Sequence, residues 1–179
     1  MALTVEQIRA AIEDKALVDL LSLELQRLLP DDVQDDRDRY YEALEKVPRG
    51  LRAMAGMHFF DVSMSLDDLA WHFGNQNDER DLRETLNGLR ELELPEIADM
   101  FEQMWEFMKP HMAAIKSKDF GGKEFGDWLV DIGADDFADE KDDFIWAYSE
   151  KSPQFGLAQS WIAYARKYPE RCVVSEENG

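Results

Sequence analysis

The strongest constraint on how this chain folds is where its apolar residues fall between its prolines. In PEIADMFEQMWEFMKPHMAAIKSK, methionines recur at 100, 104, 108 and 112 beside Ile97, Phe101 and Trp105. Each step of four turns by about 40° around a helix, so the four form a slowly rotating ridge, and a ridge accompanied by aromatics reads as buried packing. Pro110 lacks an N–H and clashes one turn back, which predicts a kink or break between Glu106 and Pro110.

The same spacing recurs along the chain. Val5, Ile8, Ile12, Leu17, Val18, Leu21, Leu25 and Leu28 predict one helix from Thr4 to Pro30, and Tyr40, Tyr41, Leu44 and Val47 a second before Pro48. Leu51, Met54, Ala55, His58 and Phe59 are expected inward on a third, and Ser65 is expected to cap a short fourth, LDDLAWHF. Leucines at 82, 86 and 89 define the next, and QFGLAQSWIAYARKY the last, with Pro169 as its stop. The five tryptophans sit in or beside such stripes and are expected in the core. Gly121, Gly122 and Gly126 mark a hinge, and no pair of alternating strands occurs. The expectation is an all-α single domain, 1–179, of roughly seven or eight helices, with the helices of 4–47 peripheral and 172–179 a frayed tail.

Charge narrows the function classes. Thirty-nine acids against twenty bases give a formal net charge of -19, which disfavours direct contact with nucleic acid or an anionic membrane and favours a basic partner. The acids outnumber the bases by 12 to 8 in residues 1–60, 14 to 6 in 61–120 and 13 to 6 in 121–179. No apolar run approaches the ~20 residues that span a bilayer, and the N-terminal residues do not read as a signal peptide, so a cytoplasmic location is expected. Cys172 reads as a lone surface thiol.

The densest run is DDFADEKDDF, residues 135–144. On a helical wheel with Phe137 at zero, Phe144 falls at about 340°, while Asp135, Asp136, Asp139, Glu140, Asp142 and Asp143 fall between about 140° and 300°. The phenylalanines are therefore expected inward and the six carboxylates on one outward arc. Carboxylates three and four apart lie roughly 5–6 Å apart at Cβ, a spacing comparable with successive phosphates on a strand. A solvated helix face with Asp135 or Asp136 as N-cap accounts for the same pattern without a partner. Asp31, Asp32, Asp35 and Asp36 in the PDDVQDDRDR connector are secondary candidates for an acidic surface.

Catalytic patterns are sparse. A calcium loop starting at Asp131 would need an acid at its third position and glycine at its sixth, where the chain has Gly133 and Asp136. Nucleophile elbows, phosphate loops, dinucleotide fingerprints and paired CxxC motifs do not occur. Two pairs with helical spacing, Asp68 with His72 and His58 with Asp61, offer the alternative of a helical metal-dependent enzyme. A third reading is a structural or assembly protein without a charge-specific partner.

From Val47 onward the stretches PRGLRAMAGMHFFDVSMSLDDLAWHFGN and LRELELPEIADMFEQMWEF resemble a bacterial domain-of-unknown-function family that includes a DNA-mimic protein. The similarity covers about a third of the chain, roughly residues 47–108. Asp61, Val62, Phe73 and Asn75 stand at positions of the family's pattern, and Leu89 to Ala98 matches the stretch that follows. Asp67 and Asp68 replace the family's paired glycines, and Trp71 stands where a glutamine is usual. The resemblance implies an all-helical domain that binds DNA-binding proteins through a phosphate-like surface; it carries over no catalytic residue. The expected function is a non-enzymatic acidic interaction protein without a cofactor, whose partner is a basic nucleic-acid-binding protein such as a transcription factor or nuclease. A homodimer is among the arrangements this allows.

Overall fold

The structure, a computed structural model, describes residues 2–117 and 121–174. Among them every regular element is helical: α1 (Val5–Ala10), α2 (Asp14–Leu28), α3 (Asp31–Gln34), α4 (Arg37–Leu44), α5 (Arg49–Leu66), α6 (Leu69–Asn75), α7 (Glu79–Glu91), α8 (Pro95–Met108), α9 (Met112–Ser117), α10 (Gly122–Asp131), α11 (Ala134–Ser149) and α12 (Gln159–Lys167). The all-α class holds, but the segments exceed the seven or eight expected, because two expected units are divided and the connector adds a turn of its own. The first helix breaks after Ala10, where Arg166 donates to the Ile12 carbonyl at 2.7 Å and pairs with Asp14 at 2.5 Å, tying the break to the end of α12. The connector contributes the single turn α3. At Pro110 a 3-10 turn, Lys109–His111, separates α8 from α9, as the missing donor and ring clash require.

The centre is the crossing of α5 on α7, where each helix offers a glycine to the other's backbone. A Cβ at Gly56 would lie 2.5 Å from the Glu84 carbonyl oxygen, and one at Gly88 2.5 Å from that of Ala53. Thr85 donates to the Gly56 carbonyl at 2.9 Å, and Arg52 grips Glu84 through two hydrogen bonds of 2.9 and 2.7 Å. Met104 and Met108 are fully buried while Met100 and Met112 lie at the margin, so only the middle of the methionine ridge is core.

Several expected orientations are corrected. Inward on α5 are Met57, Phe60 and Met64, and His58 and Phe59 are exposed, because α7 and α8 cover the opposite side. α5 runs through Ser65, whose hydroxyl donates to the Asp61 carbonyl inside the helix; the cap of α6 is Asp68, accepting from the Trp71 N–H at 2.8 Å. Of the tryptophans only Trp161 is buried, and Trp146 is exposed, its indole N–H donating to the Met64 carbonyl at 3.1 Å. Cys172 is not a surface thiol: it is buried in a 3-10 turn, Pro169–Cys172, and burial pushes its pKa up to about 12. The rest of the expected tail, 175–179, lies outside the described residues, as do residues 118–120 beside the glycines expected to hinge.

Candidate acidic interaction surface

α10 and α11 are joined by Gly133, whose φ of +73° is a left-handed turn that glycine adopts without a Cβ penalty. Gly133 itself is the N-cap of α11, and no side chain caps the helix there, so neither Asp135 nor Asp136 takes that role. The inward row of α11 is Ala134, Ala138, Asp142 and Ile145, spaced by four, four and three. Two alanines let the helix approach α6 and α8 closely, and they set its rotation.

That rotation overturns part of the expected wheel. Phe144 is 43% exposed, and Phe137 lies at the edge of the buried face, stacked on Phe107 with centroids 4.6 Å apart. Asp142, expected on the outward arc, is only 4% exposed and accepts the Leu69 N–H at 2.9 Å. It thus supplies an acceptor to the first turn of α6, whose early amide groups have no partner inside their own helix. Asp136, Asp139, Glu140 and Asp143 are exposed and share an arc of about 100° on α11, with Asp135 partly covered at its side.

Between α11 and the start of α6 lies a cleft of about 420 Å³ lined by Asp68, Asp135, Asp139, Asp142, Asp143 and Trp146. Burial, followed by repulsion from Asp68, Asp139 and Asp143, pushes Asp142 up to about 6, against the pull of its Leu69 hydrogen bond. Asp68 and Asp135 are also raised, each mainly by burial and each with a neighbouring carboxylate adding to it. Asp135 Oδ1 is buried without a hydrogen-bond donor among the described residues. Lys141, the one base within the run, folds back on its own helix: its Nζ donates to the Phe137 carbonyl at 2.7 Å and sits 3.7 Å from that ring's centroid.

The ion pairs show how charge is distributed. Among the described residues every ion-paired acid lies at or before Glu106, as in Arg37 with Asp81 at 2.5 Å, Arg80 with Asp38 at 2.7 Å and Lys167 with Glu93 at 2.7 Å. α10 and α11 together hold nine acids and two bases, Lys123 and Lys141, and none of those acids is ion-paired among the described residues. Elsewhere thirteen acids have an arginine or lysine partner among the described residues. The acids of α10 and α11 are thus all without an ion pair among the described residues, and unpaired acids such as Asp31, Asp35 and Asp99 occur elsewhere as well.

The connector acids are placed differently. Asp36 caps α4, accepting from the Asp38 and Arg39 N–H groups at 3.1 and 3.2 Å, and Asp32 lies 3.8 Å from Arg39. Asp31 and Asp35 are exposed on and beside α3, which packs on α4. They are not part of the α11 face. Asp68 borders that face and was not among the residues expected on the acidic surface; only the packing of α6 on α11, about seventy positions along the chain, brings it there.

The two Asp–His pairs sit in different surroundings, and His58 is near enough to Asp61 to act on its charge. His72 is wholly buried among Phe60, Phe73 and Phe101; its Nδ1 is 2.9 Å from the Ser63 hydroxyl, and burial lowers its pKa to about 3, so the ring is neutral. Asp68 is engaged in capping α6, and it is joined to His72 only through the backbone, the His72 N–H donating to the Asp68 carbonyl at 3.2 Å. Asp61 is raised by burial and accepts the Leu157 N–H at 2.8 Å, while His58 packs on Phe59 at the surface. Among the described residues no three His, Cys, Asp or Glu side chains are grouped to hold a metal ion, and no helix is long and apolar enough to cross a membrane. Comparison with known proteins found no family model, no curated protein and no solved structure that matches this chain.

Proposed function

We propose that this chain is a non-enzymatic acidic interaction protein of the cytoplasm, which binds a basic nucleic-acid-binding protein in competition with DNA through the face built on α10 and α11. The observation that carries the reading is the run of exposed acids without ion pairs on α11, while every ion-paired acid among the described residues lies at or before Glu106. Asp136, Asp139, Glu140 and Asp143 stand three and four apart on one exposed arc, so their carboxylates form a short array of fixed negative charge. Holding like charges in such an array costs a few tenths of a kcal/mol per neighbouring pair, which a cationic partner relieves. Asp135 and Asp68 extend the array into the cleft, and Asp142 belongs to the fold.

Capture from cell lysate on the purified protein, eluted with duplex DNA, tests this. The expected result is a basic DNA-binding protein that is retained at low salt, released at moderate salt and displaced by DNA. Retained proteins that duplex DNA does not displace would count against mimicry.

A further inference from the structure

α11 is anchored by little apolar surface. Its inward row holds two alanines, Asp142 and Ile145, so Ile145 is the large apolar side chain that it buries fully, and Phe137 and Tyr148 are covered only in part. The neighbouring α6, seven residues long, buries Leu69, Ala70, His72 and Phe73 completely. Two side-chain hydrogen bonds, one helical turn apart, tie α11 to the corner between α5 and α6. Asp142 accepts the Leu69 N–H at 2.9 Å, and the Trp146 indole N–H donates to the Met64 carbonyl at 3.1 Å. At its other end α11 leaves α10 through the left-handed Gly133, where a Cβ would meet nothing within 4 Å. Local opening costs least where few apolar contacts hold an element and a glycine beside it can absorb the turn.

The cleft over this joint carries charge of one sign. Asp68 acts on Asp142 from the start of α6, Asp139 and Asp143 act from its own helix, and Asp135 and Trp146 complete the lining. α5, α8, α10 and the turn Gly156–Ala158 also pack on α11 but place no side chain in that lining, and His72 of α6 is neutral and turned to Ser63. Lys141 lies back on Phe137. We propose that α11 is a proton-controlled arm, which sits on α6 while Asp142 is protonated and lifts about Gly133 once that carboxyl ionises. Seated and ionised, Asp142 has lost its water and stands against three other carboxylates; lifting restores the water and widens the spacing. Burial and those neighbours push Asp142 up to about 6, so the contribution of its proton to the seated state is present below about pH 4 and is lost as pH rises to about 6. The Leu69 N–H, a better partner for the carboxylate than for the acid, opposes this without cancelling it. Lifting parts Asp68 from the acids of α11, so the proton decides whether they form one surface. The arm is a property of the fold and does not depend on any partner.

Hydrogen exchange of the Leu69 amide and the Trp146 indole, the two donors whose bonds cross the joint, tests the arm. The Leu86 amide, inside α7 at its crossing with α5, reports global unfolding. After correction for the intrinsic pH dependence of exchange, both joint donors are expected to be less protected than Leu86. Their protection in the wild type should fall by about five- to tenfold from about pH 5 to about pH 7.5. In Asp142→Asn the fall should stay below about twofold, and Asp139→Asn combined with Asp143→Asn should reduce it in part. Where asparagine does not hold the Leu69 amide, the Trp146 indole still reads the joint, because its acceptor is the Met64 carbonyl. Joint protection that equals that of Leu86 at every pH, that stays constant with pH in the wild type, or that falls as far in Asp142→Asn overturns the arm.

Discussion

Replacing Gly88 by alanine is expected to destabilise the fold by roughly 3 kcal/mol or more, as is replacing Gly56. At each position the new Cβ would lie 2.5 Å from a carbonyl oxygen of the facing helix, and a backbone atom cannot rotate away. α5 and α7 must separate, which strains the Thr85 bond to the Gly56 carbonyl and the two-fold grip of Arg52 on Glu84. Alanine's better helix propensity, about 1 kcal/mol, works the other way and does not offset the loss of close packing. Gly122→Ala is the control, because a Cβ there meets nothing within 4 Å. Urea unfolding of the three variants checks the account; a loss below about 1 kcal/mol at both Gly56 and Gly88 would mean that the crossing is not the tight joint described.

Asp142→Asn is expected to stabilise the protein at pH 7 and to flatten its pH dependence. An acid whose folded pKa is raised holds its proton more tightly in the folded state, so its contribution to stability is favourable below the unfolded pKa. That contribution is lost as pH rises from about 4 to the folded value of about 6. A rise of that size corresponds to up to about 3 kcal/mol at neutral pH. Asparagine keeps an oxygen for the Leu69 N–H and removes the charge that Asp68, Asp139 and Asp143 repel. Glu24 and Asp78 are lowered by their arginine partners and act in the opposite sense, so the wild-type profile mixes both. The difference between variant and wild type isolates Asp142: it should be near zero at pH 4 and grow through pH 6. A difference independent of pH would show that Asp142 is not ionised against a penalty.

The helical class and the break at Pro110 were legible because both follow from local rules, three-and-four spacing and a missing backbone donor. The rotation of α11 was not. Phe137 and Phe144 are the largest apolar residues in its acidic run, and their wheel positions argue for an inward face, yet the helix turns Ala134, Ala138 and Ile145 inward. Close approach to α6 and α8 outweighs the burial of one more phenylalanine. The same approach draws Asp142 inside, since the start of α6 offers it an amide. Part of this was readable afterwards, as an alanine–alanine–aspartate–isoleucine row at helical spacing. Asp68 joins the acidic face through contacts across the chain, which no local pattern announces. His58 and His72 share helical stripes with acids, but one is at the surface and the other is sealed among phenylalanines, and spacing does not distinguish those environments.

The most direct test of the central claim compares where charge is removed while keeping the amount equal. One variant carries Asp136→Asn, Asp139→Asn, Glu140→Gln and Asp143→Asn on α11; the other carries Asp31→Asn, Asp32→Asn, Asp35→Asn and Asp36→Asn in the connector. Affinity for the DNA-displaceable partner is measured for both against wild type across a salt series. A partner seated on the α11 face loses at least about tenfold in affinity, and much of its salt dependence, in the first variant, and changes little in the second. Equal losses in the two variants would mean that net charge alone attracts the partner, and the α11 face would then have no specific role.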